Sequence, residues 1–249
     1  MRIFIDGFGV VAHSIIRKML DIHNIQPENI LVNTYDLPEN QAFIDFLKCR
    51  DIKFIDESYK NLSSEFPSFS VDLFFSIYGR RIIPEYILKN IRINSINLHP
   101  SLLPEYKGCF SCPWVIIKRE KKTGITFHKI DKGIDTGSIL YQVEMDLDGK
   151  ETGYSLYHKL ASEFVSRFDQ FYINLLNDRL TCKEMPKSGD YYPRKVPFDG
   201  KIDQNWSESQ IESFTRAMFF PPFKSAVFMK DGQEIEIDTF EQYQKIISV

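Results

Sequence analysis

The run Val71–Ile77, Val-Asp-Leu-Phe-Phe-Ser-Ile, constrains the fold more than any other stretch of the chain. A nearly uninterrupted apolar segment of this length suits a strand covered on both faces, as occurs in parallel sheets flanked by helices on either side. The surrounding pattern agrees. Met1–Asp6 alternates and then meets Gly7 and Gly9, after which Val10–Asp21 places Val11, Ile15, Ile16 and Met19 at helical spacing. Ile30–Tyr35 reads as a second strand, Pro38 opens a helix carrying Ala42, Phe43, Phe46 and Leu47, and Ile52–Ile55 reads as a short third strand. Beyond the central run come a helix at Pro84–Leu88 and a strand at Ser95–Leu98. Two further strands follow at Gly124–Ile130 and Ile139–Met145, then a long helix, Tyr154–Leu176, with Leu156, Leu160, Phe164 and Phe168 on one face. Such alternation predicts an α/β fold, a Rossmann-like doubly wound and mostly parallel sheet.

The α/β pattern fades near Leu180, so the expected division is a main domain over 1–180 and a small, loop-rich α+β appendage over 181–249. Pro186, Gly189, Pro193, Pro197 and Gly200 punctuate the appendage, and Ala226–Lys230 and Glu234–Ile237 read as short strands. From Leu180 onward it holds nine Lys and Arg against eleven Asp and Glu. Over all 249 residues the balance is 31 Lys and Arg against 34 Asp and Glu, a formal net charge of −3. A dedicated polyanion binder would show a basic excess, so a nucleic-acid partner is not expected. No stretch of 18 residues is apolar enough to span a bilayer, and the start, Met-Arg-Ile-Phe-Ile-Asp-Gly, lacks a signal-peptide pattern. A cytoplasmic location is expected, with no membrane partner. Exposed aromatics in the last seventy residues suggest a homodimer. Four cysteines are too few for a disulfide framework, and Cys109-x-x-Cys112 reads as two ordinary side chains in a Pro-flanked loop.

Three constellations could carry chemistry. Gly7-Phe-Gly9-Val-Val-Ala12 fits a dinucleotide-binding turn, with Asp36 near the place of a ribose-binding carboxylate; helix amides at such a turn can hold a phosphate. That motif alone leaves a nicotinamide cofactor, another phosphate ligand and a plain turn open. In Ser95-Ile-Asn97-Leu-His99-Pro the amide and the imidazole are two residues apart on a strand, hence on one face, and can converge on one oxygen as in an oxyanion hole. Thr126-Phe-His128-Lys-Ile-Asp131-Lys-Gly133-Ile134-Asp135-Thr-Gly137 adds a second His and two carboxylates about a turn, and Asp135 is the expected partner of His99. A metal site from His99, His128 and an Asp is the competing reading; no His pair has ligand spacing, so no metal is expected.

The segments Asn97-x-His99-Pro-Ser-Leu-Leu-Pro104-x-Tyr-x-Gly108 and Thr126-x-His128…Asp131-x-Gly133-x-Asp135-Thr-Gly137 closely resemble the 10-formyltetrahydrofolate-dependent formyltransferases, over roughly residues 1–180. The resemblance implies N10-formyltetrahydrofolate as cosubstrate and Asn97, His99 and Asp135 as the catalytic set. It also implies a pterin held between the loop Ser76–Pro84, with Arg80, Arg81 and Ile82, and the turn carrying His128, Asp131, Gly133 and Ile134. No acyl-enzyme is needed, so Ser101, Cys109 and Ser111 require no nucleophilic role.

The segment after the core, Asp190-Tyr-Tyr192-Pro-Arg194-Lys195 with Phe219-Phe-Pro-Pro-Phe223, is similar to that of sugar N-formyltransferases. This implies a nucleotide-linked amino sugar as acceptor, most specifically dTDP-4-amino-4,6-dideoxyglucose for bacterial surface polysaccharide such as O-antigen. Gly7, Gly9, Lys107, Tyr192 and Arg194 are the expected substrate contacts, since aromatics stack on a base and cations meet a pyrophosphate. Within the fold the alternatives are methionyl-tRNA and glycinamide ribonucleotide as acceptors. Outside it they are an NAD(P)-dependent oxidoreductase and a non-catalytic nucleotide-sugar binding module.

Overall fold

In the computed structural model, which describes residues 1–56, 58, 59 and 70–248, Val71–Ile77 is a strand buried along almost its whole length. The elements in chain order are β1 (Ile3–Gly7), α1 (Gly9–Asp21), β2 (Ile30–Asn33), α2 (Gln41–Cys49), β3 (Lys53–Ile55), β4 (Val71–Ile77), α3 (Glu85–Leu88), β5 (Ile91–His99), β6 (Lys107–Gly108) and α4 (Ser111–Ile117). They continue with β7 (Lys122–Lys129), β8 (Ile139–Asp146), α5 (Gly153–Leu176), β9 (Tyr191–Tyr192), α6 (Glu208–Met218), β10 (Ala226–Lys230), β11 (Gln233–Ile237) and α7 (Phe240–Ile247). Seven strands form one sheet in the order β3-β2-β1-β4-β5-β7-β8. β1 pairs in parallel with β2 and β4, β2 with β3, and β4 with β5; β5 then pairs antiparallel with β7. The expected mostly parallel sheet is therefore present. Among the described residues no helix is long and apolar enough to cross a membrane.

The chain forms two compact units, each discontinuous in sequence. The first holds Met1–His99, Thr126–Gln142 and Ser162–Met185; the second holds Pro100–Ile125, Val143–Ala161 and Pro186–Val249. This differs from the expected division at residue 180, because Pro100–Ile125 and the first part of α5 belong with the C-terminal residues. In the first unit β1 and β4 bring Phe4 and Phe74 into contact at a ring separation of 5.2 Å. Phe127 of β7 lies 4.2 Å from Phe171 and 5.3 Å from Phe164 of α5, all three fully buried. The helix face read from the sequence, Leu156, Leu160, Phe164 and Phe168, is buried throughout.

In the second unit Ile211 and Phe214 of α6 pack with Ala226, Phe228, Ile237 and Tyr243. Two helices here, α6 and α7, are absent from the sequence reading. Their starts are nonetheless marked: Ser207 and Gln210 form a reciprocal capping box, and the Thr239 hydroxyl accepts from Gln242 N–H. α4 corrects the reading of Cys109-x-x-Cys112 as loop. Pro113 sits in the first turn of that helix, where its missing N–H has no intrahelical partner to lose. Cys112 is buried inside α4, and burial pushes its thiol up to about 12, which keeps it protonated and unreactive. On α2 the buried residues are Phe43, Ile44 and Leu47, whereas Ala42 is exposed; Pro38–Asn40 forms a separate 3₁₀ turn before it, which shifts the helix phase.

Phe127 links the sheet to α5 while its neighbour His128 faces the opposite way, so its truncation tests the core beneath the site. Phe127→Ala is expected to lose about 3–5 kcal/mol in denaturant unfolding; a loss below about 1 kcal/mol would show that this aromatic layer does not hold the sheet.

Candidate active site

Antiparallel pairing of β5 with β7 places Asn97 opposite His128 and His99 opposite Thr126. The alternation expected for β5 holds, because Asn97 and His99 both reach the same carboxylate. Asp135 Oδ2 lies 3.3 Å from His99 Nδ1, and Asp135 Oδ1 lies 3.2 Å from Asn97 Nδ2 and 3.4 Å from His128 Nε2. The three residues expected to converge from the sequence do converge.

His128 occupies a different place from the one expected. Its Nδ1 faces the Lys129 carbonyl at 2.7 Å, so Nδ1 carries the proton and donates there. Nε2 then accepts from Asn97 Nδ2 at 3.0 Å. The ring is 2% exposed and built into the cluster with Asn97 and Asp135, so it orients Asn97 and offers no open face to a pterin. Its place follows from the cross-strand register, 97 opposite 128 and 99 opposite 126, and not from its own segment. The amide of Asn97 also differs from the open oxyanion donor expected, since one N–H is directed to His128 and the other to Asp135.

Among the other expected folate contacts, Asp131 lines a cleft of about 430 Å³ together with Glu85, Leu88, Lys89, Ile130 and Lys132. The cleft is a shallow, open depression in which Leu88 and Ile130 supply the apolar walls between charged side chains. Ile82 is 78% exposed and Ile134 is 42% exposed, large apolar side chains left open on the loop and on the turn. Gly133 is exposed in the turn. Arg80 stacks over Phe8 at 4.0 Å. Arg81 is held inside the fold: its guanidinium lies 3.1 Å from Asp6 and 2.6 Å from Asp56, and stacks over Tyr35 at 3.9 Å. Its side chain is therefore spent on anchoring the loop, a correction to its reading as a ligand contact.

The glycine turn is likewise occupied from within. Phe8 N–H donates to the Ile77 carbonyl at 3.1 Å and Gly9 N–H to Asn40 Oδ1 at 3.0 Å. Gly7 is needed for packing, because a Cβ there would come within 2.9 Å of Ala12 Cβ. Two amides that would cradle a phosphate are taken, and the buried Asp6 carboxylate adjoins the turn. Gly7 and Gly9 thus read as structural, and a nicotinamide dinucleotide loses its anchoring loop. Asp36 is exposed and its N–H donates to Asp56.

In the second unit Tyr192 is buried at 8% exposure, stacked 4.7 Å from Trp114 and 5.7 Å from Tyr106, with its hydroxyl 3.2 Å from Asp190. It is a core ring without an open face for a base, which corrects its reading as a substrate contact. Arg194 is exposed. Lys107 is buried at 8% exposure, and its ammonium donates to the Ser188 carbonyl at 2.9 Å with no carboxylate partner among the described residues. Ser101 and Ser111 hydroxyls donate to the Glu105 and Pro100 carbonyls, bonds that suit structural serines. Among the described residues no group of three or more His, Cys, Asp or Glu is arranged to hold a metal ion.

A strand-borne Asn and His meet a turn Asp on a doubly wound sheet, and the chain belongs to the formyl transferase family, whose model matches residues 40–168. It is an N-formyltransferase. Among its relatives is a GDP-perosamine N-formyltransferase of Brucella melitensis, 33% identical over 251 residues, covering 99% of this chain and 95% of that one. Among the solved structures that share the fold are two further formyltransferases. An N-formyltransferase from Helicobacter canadensis, in complex with folinic acid and dTDP-3-aminofucose, has a TM-score of 0.78 at 22% identity, over 94% of this chain and 86% of that one. A 4-N formyltransferase from Francisella tularensis has a TM-score of 0.76 at 24% identity, over 95% of this chain and 96% of that one.

Asp6 makes a pH-dependent prediction. Burial raises its carboxyl from 3.8 to about 6, against the opposing pull of Arg81. A carboxyl with a raised folded-state pKa binds more protons folded than unfolded, so its contribution to stability falls as pH rises between about 3.8 and 6. Stability measured relative to Asp6→Asn is expected to increase as pH drops from 7 to 4.5; a constant difference across that range would show that Asp6 does not titrate there.

Proposed function

We propose that the chain transfers the formyl group of N10-formyltetrahydrofolate to the amine of a nucleoside-diphosphate-linked amino sugar. The observation that carries this reading is the Asn97–His99–Asp135 convergence, joined to a full-length relative that acts on a nucleotide-linked amino sugar. The relatives differ in nucleotide and in amine position. The 33% full-length match favours GDP-perosamine; dTDP-4-amino-4,6-dideoxyglucose, expected from the sequence, is the second candidate. Both would be formylated in the cytoplasm ahead of surface-polysaccharide assembly.

The chemistry follows from the cluster. A neutral amine attacks the formyl carbon, and negative charge develops on the former carbonyl oxygen. His99, oriented by Asp135 through Nδ1, presents Nε2 as its other nitrogen, and in protonated form donates to that oxygen. One such donor is worth about 2.7–4 kcal/mol in a water-excluded site. The attacking nitrogen loses its proton to Asp135, directly or through water. As the carboxylate takes that proton it releases its claim on Asn97 Nδ2, and that N–H turns to the oxyanion. Collapse of the adduct breaks the bond from carbon to N10, which takes the proton held by Asp135, directly or through water, and leaves as tetrahydrofolate, while the acceptor keeps the formyl group as an amide.

The pterin is assigned to the cleft walled by Leu88 and Ile130, with Arg80, Ile82, Gly133 and Ile134 as backbone or apolar contacts. On the second unit Lys107 is the proposed phosphate ligand. A buried ammonium with one carbonyl partner keeps donors to spare, and an anion satisfies them. Arg194 is a second, exposed candidate.

Incubation with 10-formyltetrahydrofolate and a panel of GDP- and dTDP-linked sugars aminated at C3 or C4 is expected to release tetrahydrofolate with one acceptor class. No release with any member, or turnover of a nicotinamide cofactor instead, overturns the reading. Asn97→Ala and Asp135→Ala are each expected to lose at least about 100-fold in kcat; near-normal turnover in either removes that residue from the catalytic set. Lys107→Met is expected to raise the KM for the acceptor about tenfold or more without changing the KM for the folate, the loss of one charged contact; an unchanged acceptor KM removes Lys107 from the phosphate site.

A further inference from the structure

Asp135 adopts a left-handed backbone, φ 53°, a conformation that L-residues enter at a cost and keep only where the surroundings impose it. The Asp135 side chain is only 10% exposed, but packing around its backbone does not impose that conformation, because Asp131, Lys132, Gly133, Ile134 and Thr136 of the same turn are all exposed. Two other restraints do. At the far end Gly137 backs onto the Lys129 carbonyl, where any Cβ would overlap that oxygen, and Lys129 N–H donates to the Ser138 carbonyl at 2.8 Å. At the near end Asp131 Oδ1 accepts two bonds, from Gly133 N–H at 2.9 Å and from the Thr136 hydroxyl at 2.6 Å. The second spans the turn and fixes the residue next to Asp135. A Cβ on Gly133 would overlap Thr136 Oγ1, so that glycine serves the clasp.

We propose that Asp131, acting through Thr136, is a positioning residue that holds the Asp135 carboxylate against His99 and Asn97. The role differs from a folate contact, although Asp131 borders the cleft: the carboxyl oxygen that the structure engages is turned into the turn. The kinetic form of the proposal rests on the formyl-transfer reading above; its structural form does not.

Because the clasp is exposed, removing it leaves the core intact and separates positioning from folding. Asp131→Ala and Thr136→Val are each expected to lower kcat about tenfold or more while the KM for 10-formyltetrahydrofolate and for the acceptor changes less than about twofold, the signature of an interaction expressed in the transition state. Asp131→Asn, whose amide oxygen still accepts both bonds, is expected to recover at least about half of kcat, and the double variant is expected to be no worse than the poorer single one. A raised folate KM at unchanged kcat, failure of Asn to rescue, or additive losses would each overturn the proposal. An activity-independent arm covers the case in which no acceptor turns over. The ¹⁵N shift of His99 Nδ1 in Asp131→Ala is expected to move in the same direction as in Asp135→Asn, and an unmoved signal rejects the clasp whether or not the chain formylates anything.

Discussion

The pairing of β5 with β7 is the constraint on which the site depends. In an antiparallel ladder the partner of each residue is fixed by a single register, and a slip of one position sends every side chain to the opposite face. With 97 opposite 128 and 99 opposite 126, two polar residues of each strand, Asn97 and His99 with Thr126 and His128, face the same side. On the reverse side Phe127 enters the aromatic layer against α5. The burial that holds this register is thus the burial that aims the polar groups. The carboxylate arrives from outside the ladder, on a turn whose conformation local bonds enforce.

The same economy of groups governs the middle of the sheet. At the crevice between β1 and β4, where a doubly wound fold conventionally receives a dinucleotide, Arg81 and Asp6 form an internal ion pair and Asn40 satisfies the glycine turn. A sequence motif defined by glycines records only that the backbone must pass closely there. Whether the amides face a ligand or the fold is decided by side chains thirty and seventy residues away, which no local pattern reveals.

That contrast explains what could be read in advance. The strands of the main sheet and the buried face of α5 were legible because each satisfies a periodic burial requirement over several residues. Asn97, His99 and Asp135 were legible because strand periodicity and turn chemistry are local rules, helped by the resemblance of their flanks. The interleaving of Pro100–Ile125 with the C-terminal residues was not, since it depends on contacts far apart in sequence. Tyr192 illustrates the same limit: an aromatic in a Pro-rich segment reads as a stacking platform, yet the helix α4, unread because of Pro113, supplies Trp114 to cover it. His128 shows a related limit, as its role comes from a cross-strand partner rather than from its own segment.

The distribution of thiols has a practical consequence. Cys112 is sealed in α4 and Cys109 is half-buried, whereas Cys49 at the end of α2 and Cys182 beyond α5 are exposed. Maleimide chemistry should therefore mark two positions on the first unit, remote in sequence from Asn97, His99 and Asp135, and give a natural pair of attachment points for distance measurements without altering a single codon.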